Sequence, residues 1–200
     1  HYREWSVSAH AYAQLSPVFN SMQNAVKILT NGTNGDFCIR CHTPVGMERG
    51  EAITMSNLDR HPVAREGVTC IVCHRVNRNY GKGSGRRKLV KGDITQPVFG
   101  PKGNAVLKEV LARPEEYGVL KTSPNASIRG REIHRDAVPF FTLTTPAFCG
   151  TCHDVFGPNG FRLEDAFSEF KASPAAKEGT TCQDCHMGKV PGEDKGYAFE

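Results

Sequence analysis

Cys38-Ile39-Arg40-Cys41-His42 is one of four copies of the pattern Cys-x-x-Cys-His in a chain of 200 residues. The others are Cys70-Ile71-Val72-Cys73-His74, Cys149-Gly150-Thr151-Cys152-His153 and Cys182-Gln183-Asp184-Cys185-His186. In such a run the two thiols add to the vinyl groups of a haem as thioethers, and the adjoining imidazole reaches the iron as its proximal ligand. All eight cysteines are consumed in this way. Cys-x-x-Cys is also a zinc-knuckle spacing, but zinc modules need a second ligand pair at a regular offset, and no such pair of histidines occurs here. A disulfide framework accounts for an even number of cysteines but not for a histidine after every second one. The sequence therefore predicts four c-type haems, attached at Cys38/Cys41, Cys70/Cys73, Cys149/Cys152 and Cys182/Cys185. His42, His74, His153 and His186 are their proximal ligands.

Four histidines remain, His1, His10, His61 and His134, and four irons need four distal ligands. A haem that only carries electrons closes both axial positions, whereas a catalytic one keeps a position open for substrate. The inventory suffices to close all of them, which predicts bis-histidine, low-spin, low-potential iron and an electron carrier rather than an enzyme. Met22, Met47 and Met55 are the substitutes, and a thioether at any of these irons would raise its potential. His1, at the terminus, is the ligand most easily lost to fraying.

Only 38% of the residues are hydrophobic, and the chain holds 20 Gly and 12 Pro. That is a thin core for an ordinary globular protein. Four porphyrins supply the missing apolar volume, so the expected fold is a multihaem cytochrome c: mostly loops with a few short α-helices wrapped around a stacked haem chain, and little β. The formal charge of +4 is offset by about eight haem propionates, so it does not point to nucleic acid. No apolar run approaches the roughly 18 residues of a membrane span, which predicts no transmembrane segment. The chain begins at His1 without an initiator Met or an apolar leader, as expected of a sequence whose secretion signal has been removed. Thioether formation belongs outside the cytoplasm, so the expected location is extracellular or at the cell surface, with the periplasm as the alternative.

An internal repeat organises the motifs. His61-Pro-Val-Ala-Arg-Glu-Gly-Val-Thr-Cys70 precedes the second motif, and Ser173-Pro-Ala-Ala-Lys-Glu-Gly-Thr-Thr-Cys182 precedes the fourth. Pro62, Ala64, Glu66, Gly67 and Thr69 match Pro174, Ala176, Glu178, Gly179 and Thr181. Two dihaem modules follow, at 1–80 and 131–200, joined by a connector over 81–130 that carries no Cys, with the whole forming one haem-cored unit. Where the first module has His61 the second has Ser173, and a hydroxyl is a poor ligand for low-spin iron. One haem of the second module must then find its distal ligand elsewhere, folded back from the N-terminus or supplied by a neighbouring molecule.

Local patterns add a coarse map. Trp5, Tyr12 and Leu15 share a helical face over 3–15. Ser16-Pro17 reads as an N-cap and first helical residue, opening a helix to about Leu29 that Gly32 stops. Helical stretches are also expected over Val106–Ala112 and over Leu163–Phe170, the latter with Leu163, Phe167 and Phe170 on one side. A short edge strand is expected around Ile94–Gly100, limited by Pro97. Lys82, Arg86, Arg87, Lys88 and Lys91, set among glycines, read as a solvated loop; the sharper alternative is a patch for haem propionates or an acidic partner.

Phe148-Cys-Gly-Thr-Cys-His153-Asp-Val and Thr181-Cys-Gln-Asp-Cys-His186-Met resemble the multihaem cytochromes related to cytochrome c-554. Glu4-Trp5-Ser-Val-Ser-Ala-His10-Ala resembles that family's segment carrying a distal histidine. Within the family, the length, the four motifs and the processed start resemble the extracellular tetrahaem filament subunits of metal-reducing bacteria. That resemblance implies a homopolymer whose haems form one continuous chain, with a distal histidine, His1 or His10, crossing between subunits. It also implies redox partner cytochromes and external electron acceptors, and His61 and His134 as distal ligands within the chain. A monomeric periplasmic shuttle is the alternative reading, and a multihaem reductase a more distant one.

Overall fold

The computed structural model describes residues 2–79, 83–93, 96–113, 116, 136–157 and 159–187. Along them run helices α1 Tyr2–Ser6, α2 Pro17–Leu29, α3 Ile39–His42, α4 Pro44–Glu48, α5 Pro62–Arg65, α6 Cys70–His74, α7 Asn104–Ala112, α8 Pro146–Cys149, α9 Ala166–Ala172, α10 Pro174–Lys177 and α11 Cys182–His186. Helices α2, α4, α5, α8 and α10 open on a proline at a position where the missing N–H has no helical partner to lose. Most are a single turn, and α3, α6 and α11 coincide with haem motifs. One helical turn sets residues three and four apart side by side, so both thiols and the imidazole of a motif emerge on one face. The third motif begins where α8 ends and keeps the same winding, with Cys152 and His153 N–H donating to Cys149 O at 3.1 and 2.9 Å.

Strands are few and short. β1 Val76–Asn79 pairs antiparallel with β2 Arg87–Leu89, β3 Val98–Gly100 pairs parallel with β4 Ala137–Pro139, and β5 Val155–Phe156 pairs antiparallel with β6 Arg162–Glu164. The expected strand around Ile94–Gly100 is β3, starting just after Pro97; residues 94 and 95 lie outside the described ones. The overall picture of loops, short helices and little sheet is the one the composition implied.

Ser16 accepts the Phe19 N–H at 3.3 Å and α2 ends before Gly32, whose φ of +76° turns the chain, as the sequence predicts. Two local expectations fail. The helix expected over 3–15 stops at Ser6, where the Ser6 and Ser8 hydroxyls donate back to the carbonyls of Arg3 and Trp5 and the chain goes over to turns. Trp5, Tyr12 and Leu15 nonetheless line one groove of about 390 Å³, together with Pro62 and Glu66. The helix expected over Leu163–Phe170 begins only at Ala166. Gly157 N–H donates to Phe161 O at 2.7 Å, closing a turn that folds Leu163 into β6.

Protein core is concentrated in the N-terminal part. The buried hydrophobic side chains among the described residues are Phe19, Ile39, Val45, Ala64, Val72, Val76 and Leu89, and α8 to α11 bury none. Buried polar groups tie the same region together. Thr43 Oγ1 donates to Ala64 O at 2.8 Å, and Gln14 Nε2 donates to Asn57 O at 2.8 Å. The Glu51–Arg60 ion pair, at 3.1 Å, has Arg60 fully enclosed. Among the described residues no helix is long and apolar enough to cross a membrane.

Candidate haem-binding sites

Two of the four motif histidines are held by a hydrogen bond at one nitrogen. His42 Nδ1 lies 2.7 Å from Ala13 O and His74 Nδ1 lies 2.7 Å from Phe99 O. A carbonyl only accepts, so Nδ1 carries the proton in both and Nε2 keeps its lone pair for a metal. Phe19 stacks on the His42 ring, with centroids 4.0 Å apart and planes 2° from parallel, fixing its orientation. His153 Nδ1 faces Glu164 Oε1 at 3.7 Å, and His186 closes α11 at the exposed surface.

Two of the four remaining histidines are described. His61 is the N-cap of α5, its Nδ1 accepting the Val63 N–H at 3.2 Å, so its proton sits on Nε2 in the unligated state. Glu51 Oε1 accepts the His61 backbone N–H at 3.2 Å while Glu51 Oε2 holds the enclosed Arg60. A buried ion pair thus sets the place of an exposed imidazole, a link invisible to motif reading. His1 and His134 lie outside the described residues.

His10 is brought against the third motif. Trp5 Nε1 donates to Val68 O at 2.7 Å and Val68 N–H donates to His10 O at 2.9 Å, so the N-terminal segment is strapped to the turn after α5. Gly67 makes this strap possible: its φ is +68°, and a Cβ there would stand 2.6 Å from His10 O. The His10 ring then faces His153, with centroids 6.1 Å apart and planes at 67°. Desolvation, and after it the His153 imidazole, lower the His10 pKa against an opposing effect of Cys152, favouring the neutral imidazole that a metal requires.

The third motif is also where the sulfurs meet. Cys41 donates a hydrogen bond to Cys152, which holds the Cys152 pKa down with help from Arg87 against desolvation and holds the Cys41 pKa up. Desolvation and the neighbouring Cys182 push Cys149 up to about 11. Thr151, inside the motif, is buried, and Gly150 is obligatory because a Cβ there would meet the Phe167 ring at 2.5 Å. None of the eight cysteines is in a disulfide.

Beside the first motif lies a cavity of about 600 Å³ lined by Asp36, Arg40, Met47, Glu48, Arg86 and Arg87 among others. The buried Nε atoms of Arg40 and Arg87 have no hydrogen-bond partner. The expectation of a solvated basic loop holds only in part. Lys82 lies outside the described residues; Arg86, Lys88 and Lys91 are exposed, but Gly85 and Leu89 are buried and Arg87 reaches between two motifs, because β2 is fastened to β1 and cannot swing into solvent.

These residues fit a haem on three counts. Nε2 is free at His42 and His74. Two imidazoles each about 2 Å from a shared metal have centroids about 6 Å apart, the separation of His10 and His153. Orphaned guanidinium nitrogens suit carboxylates such as propionates.

Residues 1–75 match the family model described as cytochrome c554 and c-prime. Over 98% of its length the chain is similar to a penta-haem cytochrome c552 from Thermochromatium tepidum, with a TM-score of 0.58 and 24% identity. It spans about half of that protein, 53% of its chain. No curated protein matches. The shared architecture is that of a multihaem cytochrome c.

Proposed function

We propose that this chain is a tetrahaem c-type cytochrome that carries electrons over long range, with each iron closed by two imidazoles. The Cys pairs of the four motifs hold the haems, His42, His74, His153 and His186 ligate from one side, and His10, His61, His134 and His1 from the other. The haems supply one-electron chemistry when bound. The polypeptide sets their spacing, excludes water from them and fixes the charge around them. The observation that carries this reading is the His10–His153 pair, two imidazoles from opposite ends of the chain held 6.1 Å apart with their planes at 67°. On this reading His10 is an internal ligand and His1 is the histidine available to cross between subunits.

The working form we infer is the repeating subunit of an extracellular filament delivering electrons to external acceptors, like the tetrahaem filament cytochrome OmcE of metal-reducing bacteria. Ser173 in the place of His61 leaves the second module one distal ligand short, a place His10 fills from within the chain, so what supports the filament is the resemblance to those cytochromes together with His1, which is left over for a crossing. The His10–His153 contact within one chain equally suits a monomeric periplasmic shuttle. Two experiments test the proposal. His10→Ala should leave four haems attached and convert one of them to a high-spin signal; a fully low-spin spectrum would sink the pairing. Electron microscopy of the loaded protein should give filaments with a fixed axial repeat, lost in His1→Ala, whereas uniform single particles of the unmodified protein would establish the shuttle.

A further inference from the structure

Arg87 lies in the segment that carries neither Cys nor His, yet its guanidinium contacts two haem motifs. Nη1 donates to Cys152 Sγ at 2.8 Å and Nη2 donates to Arg40 O at 3.0 Å. The first contact is to the third motif and the second to the first. Its backbone is tied to the second, because Asn79 and Arg87 are partners in the β1–β2 ladder and β1 continues directly from α6. Leu89, two residues on, is buried, so the strand cannot rotate Arg87 outward. The loop leading in is equally fixed: Ser84 N–H donates to Asp154 O at 2.8 Å and Arg40 Nη1 donates to Ser84 O at 3.3 Å. A Cβ at Gly85 would stand 2.5 Å from Cys41 Sγ, so only glycine lets this loop pass the first motif.

A guanidinium stays protonated at every accessible pH. Arg40 pairs with Asp36, whereas among the described residues no carboxylate pairs with Arg87. The result is a fixed positive charge wedged between the first and third attachment sites. When a haem accepts one electron its net charge falls by one, and a nearby fixed cation favours the reduced form. The effect is strong where water is excluded, and second-shell charge is one of the levers a protein has on haem potential.

We propose that Arg87 raises the reduction potentials of the haems at the first and third motifs. This rests on the four-haem reading, and a chain without covalent haem would fail at the absorbance spectrum before any potential was measured.

The test is a reductive titration of the loaded protein with dithionite against redox mediators, followed optically, on the wild type, Arg87→Gln and Arg87→Lys. With Gln, about half of the total haem absorbance change should move to lower potential, with four haems attached and the low-spin bands unchanged. Lys, which keeps the charge and loses the two-pronged donor, should titrate close to the wild type. A Gln titration that superimposes on the wild type overturns the proposal, as does an equal displacement with Gln and Lys, which would make the fork's geometry the cause. Should Gln fail to load haem, Arg87→Met, which removes the charge and keeps an extended side chain, decides in its place: a downward displacement of about half the change supports the proposal, and a curve on the wild type overturns it.

Discussion

His61 and Ser173 occupy the same place in two copies of one design, and the two copies are built to different standards of support. Each residue caps a four-residue helix that opens on proline, His61 through Nδ1 to Val63 N–H and Ser173 through Oγ to Ala176 N–H at 3.3 Å. Each helix ends in a left-handed glycine, Gly67 at +68° and Gly179 at +85°. Around the first copy the chain closes in: Glu51 and Arg60 pin His61, Ala64 is buried, and residues 10–13 lie across Gly67. Around the second, Ala172 stands where Arg60 would be and a Cβ on Gly179 would meet nothing. The cap-and-turn frame is therefore a local property, retained in both copies. Burial around it is a tertiary property that only the first possesses from described residues. An imidazole goes with the buried frame and a hydroxyl with the open one.

The strongest way to break this comparison is through the ion pair. Arg60→Ala leaves the Glu51 carboxylate in a closed site with only the longer ion-pair contact to Arg49, at 3.8 Å, and should destabilise the protein by about 3 kcal/mol. Ser173→Ala removes only a helix cap and should cost about 1 kcal/mol. Denaturant unfolding of the ferric protein, read at the Soret band, measures both. Similar losses would mean that the two frames are supported alike. The glycines sharpen the same contrast. Gly179→Ala forces a left-handed alanine, worth about 1–2 kcal/mol. Gly67→Ala adds a collision with His10 O, a further ~1–3 kcal/mol of overpacking, and should loosen the strap that carries His10. Equal losses at the two glycines would remove the strap from the account.

What the sequence disclosed follows the same division. The haem motifs, the Ser16-Pro17 start of α2, the repeat and the thin core are all written in neighbouring residues or in composition, and all are present. Leu163 falls in a strand and not in the expected helix because a helical stripe and a three-residue strand cannot be told apart over so short a run; the turn through Gly157 and Gly160 decides it. Arg87 was read as solvated because a basic run among glycines usually is, and nothing local records that β2 pairs with β1. The support of His61 by Glu51 and Arg60, and the meeting of His10 with His153, depend on contacts between distant segments. Gly67 was the available signal. A glycine shared by both repeats marks a required turn, but only the structure reveals what lies against it.

Exchanging the two caps separates helix capping from ligation. His61→Ser keeps an oxygen to accept the N–H at α5, so stability should change by no more than about 1 kcal/mol, while one haem in four loses its distal ligand and turns high-spin. Ser173→His offers the second module an imidazole at the matching place. If the fourth site takes its ligand from another copy, this variant should shift assemblies toward single particles in electron microscopy while remaining low-spin. A low-spin His61→Ser protein would end the role of His61 as a ligand. Unchanged assembly in Ser173→His would detach the serine from polymer formation.

The smallest expected effect lies in the helices of the second and fourth motifs. α6 has no side-chain cap at Thr69, and Val72 within it is buried. α11 has a polar residue at the matching position and secures itself at its start: Asp184 Oδ2 accepts from both the N–H and the hydroxyl of Thr181, each at 2.7 Å. Those bonds, the hydroxyl's first and the backbone's second, hold the Asp184 pKa below its ordinary value. A carboxyl whose folded pKa is depressed contributes stability above its unfolded pKa and loses it as pH falls through the folded one. Asp184→Asn should thus be slightly less stable than the wild type at pH 7, and the gap should close as pH falls below the ordinary carboxylate range. Val72→Ala, an apolar loss, should cost the same at both ends of that range, by about 1–2 kcal/mol. Unfolding midpoints for the three proteins across that range test the difference in kind. An Asp184→Asn deficit that persists undiminished in acid would mean that the α11 cap does not depend on charge.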